Sequence, residues 1–396
     1  MCKKFILLLC LILCAALLFS ACGEGTPSTG ATQPNGGTQG GTYENYEDAV
    51  NAKDYAAAYT LLLKSDSASE EELGKYIVLP TSVVGHSTRE EINATLTYND
   101  RGLIQKVEIA GDEIVEFTYN DAGKLLTQVH KFAKSGNEIR RYEYTYDETG
   151  KMLTKNRLGD SVEEYVSYAY NEQGQLTKET VTNKYSYQDD EVTVWSYTYD
   201  AAGNVASRLN EKGSGVLYKY DAAGRVTEGK EVFAYSDSYN MHTYAYDEQG
   251  RMIKDRWESA ESWSEYTYKY DAHGAQYTDT YTLSDGTATY TTKLDENGYL
   301  KTQDFTATYG TTFHAEYDAA GNVILKDMTW ESGRAQTYTF AYNEYGYRTA
   351  EKCVNAEQTL YDYTVTYEVM YFADGAPDVS EYIAEMEEKN SIDLWF

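Results

Sequence analysis

The sequence predicts a mostly β protein, an antiparallel meander of about eleven hairpins forming a coiled or rolled sheet, with small helical caps at both ends. Three observations carry this. A pentapeptide, Tyr-(Asp/Asn)-x-x-Gly, recurs eleven times between Tyr98 and Gly346, with Leu294 in place of the Tyr once. Apolar and aromatic residues alternate at period two on either side of it, as on one face of a strand. No proline interrupts the stretch from Thr81 to Ala376, and 41 tyrosines supply half-apolar rings suited to sheet faces.

Each unit predicts its own hairpin. The heads are Tyr98, Tyr119, Tyr146, Tyr170, Tyr199, Tyr220, Tyr246, Tyr270, Leu294, Tyr317 and Tyr342. The unit glycines run from Gly102 to Gly346, giving a mean period of 24.4 residues with intervals of 21 to 29. Such regularity marks a repeat array and overrides the two or three domains that 396 residues would otherwise suggest. The acidic or amide residue starts a turn by bonding nearby backbone N–H groups, and the Gly takes positive φ where a type I turn closes into a bulge. The candidate turn residues are Asp147 with Gly150, Asp200 with Gly203, Asp221 with Gly224, Asp247 with Gly250, Asp271 with Gly274, and Asp318 with Gly321. Two residues past the Gly an apolar residue opens the second strand in nine units, with Gln276 and Arg348 as exceptions. About two strands per unit predict about twenty-two, and Tyr361 to Phe372 alternates as one more.

The flanks divide into residues 1–21 as a signal, 22–42 as a tether, 43–79 as a small helical cap, 80–372 as the β domain, and 373–396 as a terminal helix and tail. In the cap, Asp54 is a candidate N-cap for the Ala/Leu-rich stretch after it, and Ser67-Ala68-Ser69-Glu70 reads as a capping box for a helix through Tyr76. These helices are expected to cover the first open edge of the sheet. At the other end, Asp378-Val379-Ser380-Glu381 reads as a second box, with Val379, Tyr382, Ile383 and Met386 on one helical face. Leu394-Trp395-Phe396 would tuck beneath it.

Lys3 and Lys4 precede an apolar run from Phe5 to Phe19, too short for a comfortable membrane span. The segment ends Leu18-Phe19-Ser20-Ala21-Cys22-Gly23. It resembles a bacterial lipoprotein signal, which implies acylation of Cys22 and an outward-facing, lipid-anchored location in the bacterial envelope. Phe19 departs from the usual Leu at that position, and an ordinary secretory signal with an incidental Cys is the competing reading. Residues 23–42 are Gly, Thr, Ser and Gln rich, a flexible spacer. With Cys2, Cys10 and Cys14 in the removable segment, the mature domain keeps only Cys353, expected as a small buried residue.

The iterated motif resembles the YD-repeat, or Rhs-repeat, family over roughly Leu96 to Arg348. Tyr197-Thr198-Tyr199-Asp200-Ala201-Ala202-Gly203-Asn204-Val205 fits the pattern throughout. The resemblance implies a coiled antiparallel sheet of the kind that spirals into hollow shells in Rhs toxins, insect toxin complexes and teneurins. Eleven units are few for such a cage, and no long C-terminal effector domain follows them.

For function, the net charge of -29 makes nucleic acid and bare anionic lipid poor partners. The five histidines, His86, His130, His242, His273 and His314, form no motif with one another, with Cys or with acids. No nucleophile elbow, phosphate loop, zinc spacing or calcium loop is present, so neither catalysis, a metal nor a cofactor is expected. The turn Asp residues read as scaffold, and Asp189-Asp190-Glu191 as solvated acid. The aromatic ladder is either sheet packing or a contact face for a protein or carbohydrate. The function expected is binding or adhesion at the cell surface. A ligand-free structural element of the envelope, or an accessory partner of an Rhs-type toxin, are the other readings.

Overall fold

The computed structural model describes residues 43–372, apart from 44, 66–67, 89–90, 160, 273 and 285. Among the described residues three short helices come first: α1 (Tyr46–Asn51), α2 (Tyr55–Leu63) and α3 (Glu70–Leu73). Strand β1 spans Tyr76–Ser87. The first hairpins are β2 (Glu91–Tyr98) with β3 (Ile104–Ile109), β4 (Glu113–Tyr119) with β5 (Leu125–Phe132), β6 (Glu138–Tyr146) with β7 (Met152–Leu158), and β8 (Val162–Tyr170) with β9 (Leu176–Tyr185). Next come β10 (Glu191–Tyr199) with β11 (Val205–Asn210), β12 (Gly215–Tyr220) with β13 (Val226–Phe233), β14 (Ser236–Tyr246) with β15 (Met252–Glu258), and β16 (Trp263–Tyr270) with β17 (Gln276–Leu283). The series ends with β18 (Gly286–Leu294) and β19 (Leu300–Ala307), β20 (Thr312–Tyr317) and β21 (Val323–Thr329), β22 (Ala335–Tyr342) and β23 (Arg348–Val354), and β24 (Thr359–Tyr371).

The turns explain the hairpins. In the fifth unit the Gly203 N–H donates to the Asp200 carbonyl at 3.1 Å, and the Asp200 N–H to the Asn204 carbonyl at 2.9 Å. Asp200 Oδ1 accepts the N–H groups of Ala202 and Asn204, both at 2.9 Å. One carboxylate thus satisfies two donors that the tight turn would leave unpaired. Register slips by one residue between Thr198 and Tyr199, the mark of a bulge. All eleven unit glycines have φ between 72° and 90°, where a Cβ is strained.

Each strand pairs antiparallel with its sequence neighbours, and β24 returns to pair with β1 from Tyr76↔Tyr371 to Ser87↔Tyr361. The sheet is therefore a closed barrel of 24 strands, not the open coil that remained possible from sequence. Closure comes from β1, whose first four residues lie in the stretch read as helical. Tyr76-Ile77-Val78-Leu79 favours a strand through its β-branched and aromatic residues. Pro80 sits where register shifts between Pro80 and Ser82, so its missing N–H falls at a bulge.

The helices accordingly cover no free edge. Ala49, Ala58 and Leu62 pack with Tyr76, Val78, Val369 and Tyr347, across the joint between β1 and β24. Tyr55 stacks on Tyr371 at 5.3 Å and Tyr59 on Tyr76 at 5.2 Å. Asp54 caps α2 by accepting the Ala57 N–H. The capping box lies two residues later than expected, on Ser69 and Glu72, and its helix stops at Leu73 ahead of Gly74. The C-terminal helix and tail expected over 373–396 lie outside the described residues.

Gly203→Val should lower thermal stability clearly more than Ala202→Val, by about 1 kcal/mol or more, because only Gly203 holds a left-handed backbone. Thermal melts of the two variants check this, and equal shifts would remove the strain argument.

Candidate functional site: the tyrosine face

Register traces a single face around the barrel. Tyr142, Tyr144 and Tyr146 on β6 stand opposite Arg157, Lys155 and Met152 on β7, and Val166 of β8 stands opposite Lys155. The same face continues through Trp195, Tyr197 and Tyr199 on β10, and through Tyr361 and Tyr363 on β24. The other face carries small polar residues, which pair across hairpins. The hydroxyls of Thr118 and Thr127 lie 2.7 Å apart, those of Thr145 and Thr154 2.7 Å, and those of Thr267 and Thr280 2.6 Å.

The head tyrosines join one hairpin to the next. Between hairpins the ladder stops four residues past the unit Gly, as at Thr154↔Ser167 and Ser207↔Leu217. The following head tyrosine spans the remaining gap. Its hydroxyl donates to the backbone carbonyl two residues past the preceding Gly. Tyr119 reaches Ile104 at 2.6 Å, Tyr146 reaches Leu125 at 2.9 Å, Tyr199 reaches Leu176 at 2.7 Å and Tyr270 reaches Met252 at 2.7 Å. Tyr98 and Tyr367 extend the pattern to Pro80 and Arg348, beyond the recognised units. This role was missed in the sequence, although the ring that recurs at a fixed distance from the turn in ten of eleven units was its signal.

The pattern breaks at β18. Leu294 has no hydroxyl to offer, and the β17–β18 ladder runs only from Tyr281↔Ala288 to Leu283↔Gly286. Side chains hold this joint instead. Gln303 Nε2 donates to the Thr278 carbonyl at 2.8 Å, and buried Asp271 accepts the Leu300 N–H at 2.9 Å. Asp271 keeps its turn contact as well, accepting the Ala275 N–H.

The face is charged in matched groups. The Arg208 guanidinium lies 4.1 Å from the Trp195 ring centroid, donates to the Tyr197 hydroxyl at 2.9 Å, and pairs with Glu179 at 3.0 Å. On the opposite face, beside Thr267, Arg256 lies 4.4 Å from the Trp263 centroid and pairs with Glu258 at 2.8 Å. Glu351 accepts from Tyr361 and Tyr363 at 2.6 Å each and from Arg348 at 2.8 Å. Burial, then the Glu351 carboxylate, pushes both of those tyrosines up. Cys353 is buried nearby, which raises its thiol pKa and disfavours the reactive thiolate.

The histidines lie apart. His130 is buried with Nδ1 at 2.5 Å from Glu113. His314 Nδ1 lies 2.6 Å from Asp304, the main cause of its raised pKa. His242 stacks on Tyr244, and His86 is exposed. His273 lies outside the described residues. Among the described residues no group of three or more His, Cys, Asp or Glu is arranged to hold a metal ion. Cys22 likewise lies outside the described residues.

Residues 199–228 match the RHS Repeat family model, and the chain carries this repeat. A comparison with curated proteins finds no match. Among solved structures the fold is similar to TcdB2-TccC3-Cdc42, with 16% identity and a TM-score of 0.41 over 71% of this chain and 15% of that one. TcdB2-TccC3-TEV gives 16% identity and a TM-score of 0.42, covering 73% of this chain and 16% of the other. The chain thus spans about a sixth of those proteins. A porin-like protein from Bacteroides uniformis gives 12% identity and a TM-score of 0.25, covering 58% and 94%.

Tyr199→Phe should cost about 1 kcal/mol, the usual net value of one hydrogen bond. Tyr317→Phe should cost less, since no hydrogen bond from its hydroxyl appears among the described residues. Chemical denaturation measures both, and equal costs would deny the hydroxyl its part in joining hairpins. A second expectation concerns acid. The Asn204 amide, with nearby backbone N–H groups, lowers the Asp200 pKa, and the Arg225 N–H and guanidinium lower that of Asp221. A depressed folded pKa gives stability that is present above the unfolded value and is lost as pH falls through the folded one. Asp200→Asn/Asp221→Asn should therefore lose less stability than the parent below about pH 4, near the unfolded Asp value. Melting series from neutral to acid pH measure the slope, and identical slopes would contradict this.

Proposed function

We propose that this RHS-repeat chain is a non-catalytic binding protein of the bacterial envelope, held by a lipid on Cys22, whose tyrosine face engages a neutral carbohydrate. The observation that carries the reading is the pairing of accessible rings with matched charges. From β8 to β17 the face holds Trp195, Tyr197, Tyr244 and Tyr266 half-buried. Such rings stack on the apolar face of a sugar while their polar tips remain available. The neighbouring Glu179 carboxylate and Arg208 guanidinium, satisfied by one another, offer oriented donors and acceptors for hydroxyls without a surplus of positive charge for an anion.

A protein ligand is the weaker fit. Large exposed apolar residues are scattered over strands and turns, as at Val84, Phe132, Leu217, Tyr235 and Ile324, whereas protein docking favours a contiguous patch. For the anchor, the support is the Lys3-Lys4 start, the apolar run and the small residues before Cys22. A spacer of twenty residues with the Gly-, Thr-, Ser- and Gln-rich composition of 23–42 would hold the barrel about 25 Å from the lipid.

The test uses the full chain purified in mild detergent on an array of neutral glycans and cell-wall fragments. Binding is expected, weakened at least about tenfold by Trp195→Ala with the circular dichroism unchanged, a loss typical of one stacked ring. Absence of glycan binding, or equal binding by the variant, rejects the carbohydrate reading. Cys22→Ser should leave the membrane fraction, and retention there with normal processing rejects the anchor.

A further inference from the structure

Among the described residues the strands contain four glycines, Gly85, Gly215, Gly229 and Gly286. A glycine weakens a strand, because it gives up more conformational freedom than other residues and packs nothing. Crowding accounts for three of the four. A Cβ on Gly85 would collide with the Asp362 carbonyl, one on Gly215 with the Arg208 carbonyl, and one on Gly286 would press on the Thr308 hydroxyl. Gly229, in the middle of β13, is different. Its backbone is that of an ordinary strand, and an added Cβ would meet only the Tyr218 ring, at 3.9 Å. Neither the path of the chain nor the packing asks for glycine there.

The repeat shows what this position usually holds. Register sets Gly229 opposite Tyr218, two residues before the head Tyr220. In the other ten units the residue opposite the corresponding position has a side chain, as with Gln128, Glu179, Arg208, Asp255, Gln303 and Glu351. Several of these bond the rings around them. Arg208 donates to the Tyr197 hydroxyl, Glu179 accepts from the same hydroxyl, and Glu351 accepts from Tyr361 and Tyr363. Gly229 offers no such group. Tyr218 and Tyr244, half-buried on either side of it, make no hydrogen bond through their hydroxyls among the described residues.

The result is a gap one side chain wide between β12 and β14, which lie two strand spacings, or about 9.5 Å, apart. Its floor is the Gly229 backbone. One wall is the edge of the Tyr218 ring. The other is His242, opposite Gly229, with Tyr244 stacked beside it at 6.0 Å and 12° between the planes. Two residues along β13, Glu231 stands opposite Asn240 and accepts from its Nδ2 at 2.7 Å. Lys219 and Lys230 alternate onto the opposite face.

We propose that the gap over Gly229 is a subsite for one pyranose ring of a neutral sugar. The inference rests on the carbohydrate reading and gives it a location. The ring takes the space that a side chain fills in every other unit, with its apolar C–H surface against the aromatic walls. The Tyr218 and Tyr244 hydroxyls supply donors and acceptors to the sugar, and Glu231 accepts from its hydroxyls. The same carboxylate repels a sugar acid, and no lysine or arginine on this face of β12 to β14 is there to offset it.

Saturation-transfer NMR of the full chain in mild detergent tests the subsite, with the methyl β-pyranosides of glucose, galactose, mannose and N-acetylglucosamine as probes. At least one is expected to bind. Gly229→Gln restores the side chain that two other units carry here, Gln128 and Gln303, so the fold accommodates it. The variant should melt no lower than the parent and should bind the same pyranoside at least about tenfold more weakly. A second readout needs no variant. The bound pyranoside should protect Tyr218 and Tyr244 from acetylation by N-acetylimidazole, read by peptide mass spectrometry, and leave Tyr235, 89% exposed at the β13–β14 turn, unprotected. Equal binding by Gly229→Gln, or no protection of Tyr218 and Tyr244, rejects the subsite. If glycans still bind on the array and Trp195→Ala still weakens them, the carbohydrate reading survives that result. No binding by the parent to pyranosides or to the array rejects both.

Discussion

The fold depends on one contact repeated around a rim, a tyrosine hydroxyl donating to a backbone carbonyl of the preceding hairpin. Hairpins made by local turns have no inherent reason to stay together near those turns, because the ladder between them ends early. The tyrosine supplies the missing partner from a side chain. Its ring stands opposite the apolar residue that opens the next strand, as Tyr119 does Leu125 and Tyr146 does Met152, so one residue contributes a hydrogen bond and packing at once. Most hairpins meet their neighbours through this contact, and the chain of similar joints curves until its ends meet.

Much of this was legible in the sequence because its determinants are local. The Asp and Gly of each turn lie within five residues, and strand alternation can be read over seven or eight. Leu294 and Gln276 already stood out as departures, and the structure finds the ladder shortened between their strands. Closure was not legible, since β1 and β24 meet across about 280 residues and nothing local marks their pairing. Pro80 and the adjacent helices also disguised β1 as the end of a helical segment. The tyrosine hydroxyl contact was hidden for a related reason. Its acceptor is a backbone carbonyl, which every residue possesses and no sequence pattern reveals.

The candidate binding face follows from the same economy. Because the repeat fixes rings at every hairpin, aromatic surface exists whether or not a ligand does. Where that surface is covered, as beneath α1 and α2, tyrosines serve as ordinary packing: Tyr345 bonds the Ala56 carbonyl and stacks beside Tyr59. Where it is less covered, Trp195, Arg208 and Glu179 form a mutually satisfied group. The repeat supplies the frame, and the residues between the fixed rings differ from unit to unit.

The pairing of β1 with β24 also bears on how the molecule is made. β1 is the first strand to be synthesised and its partner on that side the last, so its edge waits for the whole array. At translation rates of about 5–20 residues per second, the wait lasts roughly 15 to 60 seconds. An unpaired edge is an invitation to any other strand, including the same strand of a neighbouring chain. Val83 and Val84, in the middle of that edge, make it apolar as well. The short helices that precede β1 are complete before any of the array exists. Their tyrosines, poised against Tyr76, would shield the start of the waiting strand and afterwards take up β24 when it arrives. A contact that secures the finished barrel thereby doubles as a guard against mispairing while the barrel is still incomplete.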